Sequence, residues 1–223
     1  MNQTNPTLSD PLLAQRLAAA GLSWAQLTQR CEQIVLFGSR AAGVARADSD
    51  FDLLCVVREK DSITREDRRV TPGIDLVWVS LERLATQEWL GSELAQHVAA
   101  FGIWLHGQND WGHSVFASRQ AVLKKAAQIQ DRIMALLPRW EHLLPSYHRK
   151  YSRLVRRDLQ RLELLSQGKP VPCSPILDRA WLSVKKPLTK WAETALEPGL
   201  VDLKLLGRLS WQEQAAVPAM VQV

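Results

Sequence analysis

Cysteine is scarce. Cys31, Cys55 and Cys173 are the only three, widely spaced and without a CxxC pair, which excludes a disulfide framework and a thiolate zinc site and predicts free thiols. No apolar run approaches the roughly 18 residues of a membrane span. The N-terminal "MNQTNPTLSDPLLAQ" lacks the basic flank and apolar stretch of a secretory leader, so the expected setting is cytoplasmic, with no membrane partner. The phosphate-binding patterns GxxxxGK[ST] and GxGxxG are missing, which disfavours Walker-type and dinucleotide-binding folds. His97, His106, His113, His142 and His148 show no HExxH spacing and read as packing or surface histidines. Ser114, Ser118 and Ser183 lie in no GxSxG elbow, which removes the case for an acyl-transfer nucleophile.

What is present is a chain of 223 residues, 46% hydrophobic and of net charge +5, enough for one large core or two small ones. Its charge is uneven. Between Arg149 and Arg161 six Lys or Arg face one acid, Asp158, and this suits an anionic partner such as a nucleotide, RNA or an acidic protein. An ordinary solvated helix can carry the same stripe.

The two halves differ in texture. Helical patterns cover Pro11 to Ala20 and Trp24 to Cys31, the second opened by a Ser23/Gln26 capping box. "QIVLF", "FDLLCVV" and "GIDLVWVS" are β-branched apolar runs that read as strands, with "GIWLHG" as a short last one. Between them, Ser80 is expected to cap a helix reaching about Trp89, and a further helix spans Ser92 to Ala100. Beyond Gly107 to His113 the period is helical. "VFASRQAVLKKAAQIQDRIMALL" and "YHRKYSRLVRRDLQRLELLSQG" predict long helices, the second with Arg149, Arg153 and Arg156 opposite an apolar side. "GKPVPCSPIL" interrupts the pattern, "LDRAWLSVKKPLTKWAETAL" resumes it with a kink expected before Pro187, and Trp140, Trp181, Trp191 and Trp211 are expected to pack a bundle. The expected fold class is α+β: a small mixed β-sheet domain with flanking helices over residues 1–108, then an all-α helical bundle over 109–223.

The chemistry concentrates in "LFGSRAAGVARADSDFDLLCVV". Asp50 and Asp52 are two residues apart, so on a strand they share a face while Phe51 points the other way. Two ionised carboxylates side by side repel, and a divalent cation with hard-oxygen preference removes the conflict. Asp75 adds a third carboxylate if its strand pairs beside that of Asp52. Gly38 and Ser39 end a strand and begin a turn, where exposed N–H groups and a small residue let a phosphate approach. Arg40 and Arg46 add positive charge nearby. "ADSDFD" also has ordinary turn chemistry; the weight rests on the whole set following Gly-Ser.

The order strand, Gly-Ser, a gap, Asp-x-Asp, then a later strand Asp resembles the DNA polymerase beta-like nucleotidyltransferase superfamily, especially its minimal nucleotidyltransferase branch. Phe37, Gly38, Ser39, Asp50 and Asp52 meet the pattern, and "FGSRAAG" and "GIWLHG" add to it, over Ile34 to Gly107. The resemblance implies two Mg²⁺ ions bridged by Asp50 and Asp52, with Asp75 on the catalytic ion and helping to activate the acceptor hydroxyl. It implies that Gly38 and Ser39, with Arg40, hold the phosphates of an NTP, ATP being the expected one. NMP would pass to a hydroxyl of a protein, an RNA such as tRNA, or a small molecule, within a toxin–antitoxin or antiphage pair. A homodimer or a cognate protein partner is the expected assembly, and the helical half would bind the acceptor or dimerise. An antibiotic nucleotidyltransferase is the second enzymatic reading, which the basic "RKYSRLVRRDLQR" does not favour for a cationic acceptor. A non-catalytic, antitoxin-like binding module is the rival, and the presence of all three aspartates speaks against it.

Overall fold

The computed structural model describes residues 10–60, 63, 71–184 and 199–209. Two helices lead into the sheet, α1 (Pro11–Ala19), capped by the Asp10 side chain, and α2 (Trp24–Arg30), opened by the Ser23/Gln26 capping box. Strands β1 (Cys31–Phe37), β2 (Phe51–Val57), β3 (Ile74–Ser80) and β4 (Ile103–His106) form one mixed sheet in the order β3-β2-β1-β4. Only β2 and β3 run parallel; β1 is antiparallel to both of its neighbours.

Burial explains the composition of β2. Leu53, Cys55, Val57 and Phe51 pack with Leu13, Leu17 and Leu27 of α1 and α2 on one side of the sheet. Leu54 and Val56 pack on the other with Val35, Val79, Leu90 and Val98. A strand covered on both faces must be apolar at nearly every position, and Asp52 is the exception to be explained.

The second side is covered by α4 (Leu81–Leu84), α5 (Gln87–Leu90) and α6 (Glu93–Phe101). The sequence pattern predicts one helix from Ser80 to Trp89, whereas two short ones occur. Ser80 does cap the first, but the Thr86 hydroxyl accepts from the Trp89 N–H and restarts the chain as a second helix. A four-stranded mixed sheet with flanking helices, followed by helices, is the α+β architecture expected from the sequence.

The C-terminal part has its own core. Helix α7 (Arg119–Leu136) starts at the Ser118 cap, later than the apolar pattern from Val115 suggests, and packs on α8 (Pro145–Ser166), which in turn packs on α9 (Ser174–Val184). Ile129, Ile133, Leu159, Leu162 and Trp181 fill this second core, which Leu206 of the short helix Leu203–Arg208 completes. Trp140 and Trp181 are buried as expected, while Trp191, Trp211 and the kink before Pro187 lie outside the described residues. The three cysteines are buried and in no disulfide. No helix among the described residues is long and apolar enough to cross a membrane.

One expectation about α8 needs correction. Arg156 is not on a free outer face, because its guanidinium lies 5.3 Å from the centre of the Trp181 ring. Arg157 is likewise engaged, in a two-pronged bond to Asp178.

Candidate active site

Strand pairing builds the site. Phe37 at the end of β1 stands opposite Asp52, and Asp52 stands beside Asp75 in the parallel β2–β3 register. Residues paired across neighbouring strands point to the same face, so one row of the sheet reads Phe37, Asp52, Asp75. Asp50 is one residue outside the strand and exposed; Asp75 is exposed and Asp52 half-buried.

Their proximity is visible in proton affinity. Burial, then the negative charges of Asp75 and Asp50, push the Asp52 carboxyl up to about 6, against a smaller opposing pull from Arg40. A carboxylate whose proton affinity is raised by two acidic neighbours belongs to a hard-oxygen donor set short of positive charge, which suits a divalent cation in kind. Among the described residues, however, no group of three or more His, Cys, Asp or Glu stands close enough to enclose a metal. Asp52 and Asp75 are neighbours across the β2–β3 pairing, and Asp50 stands at the rim.

The Gly-Ser turn closes over Asp52. β1 passes directly into a four-residue helix, α3 (Gly38–Ala41), through Gly38 at φ +71°, a left-handed conformation that strains any other L residue. A Cβ on Gly38 would collide with the Asp52 carboxylate. The glycine is thus required twice, by backbone conformation and by the carboxylate against it. Ser39 lines the adjoining cleft, and its hydroxyl has no hydrogen-bond partner among the described residues.

Arg40 of α3 is engaged with the loop that precedes β2. Its Nε and Nη2 donate to the Ser49 carbonyl at 3.2 and 2.7 Å, and its guanidinium lies 3.9 Å from the centre of the Phe51 ring. It braces the loop that presents Asp50 while still acting on Asp52 through space. Arg46 is exposed; its N–H donates to Ser49 Oγ within the same loop.

A cleft of about 610 Å³ opens beside Phe37 and Asp52, and neither Asp75 nor Asp50 lines it. Gly38, Ser39, Asp52 and His97 line one wall, and Lys124, Lys125, Arg161 and Ser174 the other. The walls are joined by charge. Glu93 of α6 takes Lys125 Nζ at 2.8 Å and Arg161 Nε at 3.4 Å, while the buried Asp158 pairs with Arg132 and Arg161. Lys124 and Arg83, also at the cleft, have no ion pair among the described residues.

Sequence reading misses Glu93, His97, Lys125 and Arg161 as site residues. Glu93, His97 and Phe101 fall on one stripe of α6, and a charge and an imidazole on such a stripe are the available signal; their partners lie in distant segments of the chain and leave no local trace.

Residues 24–127 match the family model described as "Nucleotidyltransferase domain". The chain is also similar to a toxin–antitoxin solved with AMP-PNP, at 19% identity over 51% of this chain and 92% of that one, TM-score 0.29. Spectinomycin adenyltransferase AAD(9) from Enterococcus faecialis, solved with ATP and spectinomycin, is similar at 15% identity over 82% of this chain and 84% of that one, TM-score 0.44. Values this low say nothing about what this chain acts on. No curated protein matches the sequence.

Proposed function

We propose, from the premise that residues 24–127 of this chain are a nucleotidyltransferase domain and the protein therefore a transferase, that it moves AMP from ATP to a hydroxyl of an anionic acceptor, with RNA the favoured class. The observation that carries this reading is the row of Asp52 and Asp75 under the Gly38 turn, with the Asp52 carboxyl pushed up to about 6 by burial and its acidic neighbours.

Each residue then has a task. Gly38 and Ser39 hold the β and γ phosphates, Gly38 by the room its missing side chain leaves and Ser39 by its hydroxyl and N–H, while Arg40 fixes the loop that carries Asp50. Asp50, Asp52 and Asp75 would hold divalent cations, two Mg²⁺ ions being the proposed complement. When bound, these supply positive charge for the attacking and leaving oxygens of an in-line displacement. The acceptor oxygen forms a bond to the α phosphorus, the bond from that phosphorus to the β-bridging oxygen breaks, and pyrophosphate leaves. Asp75, the exposed member of the row, takes the hydroxyl proton on a carboxylate oxygen.

The acceptor class rests on charge. Lys124 and Arg83 at the cleft, and Arg149, Lys150 and Arg153 on α8, are exposed cations without ion pairs among the described residues. We divide the chain at residue 108, giving catalysis to 1–108 and the acceptor to 109–223, because α7 to α9 own a separate core. The family match runs on to residue 127, into the stretch of α7 that carries Lys124 and Lys125.

The test is incubation with each of the four α-labelled NTPs and Mg²⁺, with total RNA, with lysate proteins, or with neither. Label from ATP on RNA is the expected result. Label on protein alone moves the acceptor class, and no transfer from any NTP overturns the reading.

A further inference from the structure

His97 lies on α6 and is 9% exposed, its ring edge-on to that of Phe37 and tilted against that of Phe101. Both ring nitrogens face backbone. Nδ1 is 2.7 Å from the Val171 carbonyl, and Nε2 is 3.2 Å from the Gly38 nitrogen. A carbonyl only accepts and an N–H only donates, so these two partners assign one tautomer: Nδ1–H donates to Val171, and Nε2 accepts from Gly38.

The Gly38 end of this bridge has few alternatives. Gly38 is buried at a strand-to-helix corner, where its N–H falls outside both the β1 ladder and the α3 helix, and a buried N–H without a partner is costly. The same glycine abuts the Asp52 carboxylate, so its placement fixes the distance between the Gly38–Ser39 turn and the acidic row. The other end of the bridge belongs to the C-terminal half. Val171 lies in the segment whose neighbours Pro172, Cys173 and Ser174 line the far wall of the cleft. Glu93, one helical turn before His97, reaches the same half through Lys125 and Arg161, so α6 is clamped across the cleft at two successive turns.

We infer that His97 is a positioning residue for the nucleotide: its Nε2 holds the Gly38 N–H so that the Gly38–Ser39 turn stands in register with Asp52, and its Nδ1–H anchors that turn to the far wall of the cleft. The inference rests on the turn being the NTP site, and it assigns His97 no contact with the reacting atoms.

Three variants of the full chain separate this role from packing. His97→Gln offers an amide oxygen near the place of Nε2 and keeps an acceptor for Gly38. His97→Asn offers an amide N–H near the place of Nδ1 and keeps the donor to Val171. His97→Ala keeps neither. Equilibrium binding of ATP with Mg²⁺ is measured for each at a temperature where its melting curve shows it folded. Amide hydrogen exchange of the peptide spanning residues 36–41 is measured without nucleotide.

Positioning through Nε2 predicts Kd near wild type for Gln and about tenfold weaker for Asn and Ala, the usual scale of one missing hydrogen bond. The residue 36–41 peptide should exchange faster in Asn and Ala and stay protected in Gln. Equal Kd and equal protection in all three variants would reduce His97 to a packing residue and overturn the inference. So would the reverse order, with Asn like wild type and Gln like Ala. If wild type itself fails to bind ATP, the nucleotide reading has failed, and the exchange data alone decide whether His97 holds Gly38.

Discussion

Asp52 carries the conflict on which the site depends. The free carboxyl ordinarily titrates near 3.8, and here it titrates near 6. The folded protein thus binds this proton more tightly than the unfolded chain does. In the absence of metal this group's contribution to stability increases as pH falls from about 6 towards 4, and it is lost as pH rises through the same window. Because the side chain is only half-buried, the effect is on the order of 1–2 kcal/mol. Asp52→Asn removes the titration, so in chelator its melting temperature at pH 7 should equal or exceed that of wild type, and the slope between pH 4 and 6 should flatten. A large fall at pH 7 would mean that the ionised carboxylate holds the fold together. Gly38→Ala should do the opposite of Asp52→Asn: the left-handed backbone costs about 1–2 kcal/mol in any L residue and the new methyl meets Asp52. A lowered melting temperature together with weakened ATP binding is the expected outcome, read by thermal denaturation and calorimetry. Gly38, Ser39 and the aspartates can be found in the sequence because like charges and a small residue are crowded into one short stretch. His97 cannot, since its partners are two backbone groups contributed by distant segments.

At the scale of elements, local chemistry is legible in the sequence and long-range pairing is not. The Ser23/Gln26 capping box and the apolar runs locate α2 and the strands almost to the residue, because caps and periodicity act within a few positions. The break at Thr86 is hidden, as a second cap inside an apolar pattern costs nothing visible in periodicity. On α8 the stripe itself is readable, but its division is not: Trp181 takes Arg156 and Asp178 takes Arg157, leaving Arg149, Lys150 and Arg153 exposed. Reversing those three together to Glu should weaken RNA binding and lower the slope of log affinity against log salt by about 2, at roughly 0.7 for each phosphate no longer neutralised. Arg156→Ala should instead lower the melting temperature and leave the slope unchanged. Unchanged RNA binding across a salt titration of the triple variant would remove α8 from the acceptor site.

Over the whole molecule, two cores meet across a cleft stitched by charges that no short window of sequence could connect. Asp158 is the buried member, facing Arg132 and Arg161, with Lys125 Nζ 4.0 Å away. Asp158→Ala would leave these cations facing one another without their acid. A drop of about 3–5 kcal/mol in unfolding free energy, measured by denaturant titration, is the expected cost. The sheet order and the parallel β2–β3 pairing belong to this scale as well. The sequence allows Asp75 to stand beside Asp52 only on the condition that their strands pair, and the fold meets that condition.

The most direct measurement compares wild type with Asp52→Ala for transfer of label from α-labelled ATP to RNA, with pyrophosphate release and melting temperature recorded in the same samples. The expected result is one pyrophosphate per label transferred by wild type, and transfer below about one hundredth of that in a variant that melts no lower. Undiminished transfer by Asp52→Ala would contradict the assignment of this row as the active site.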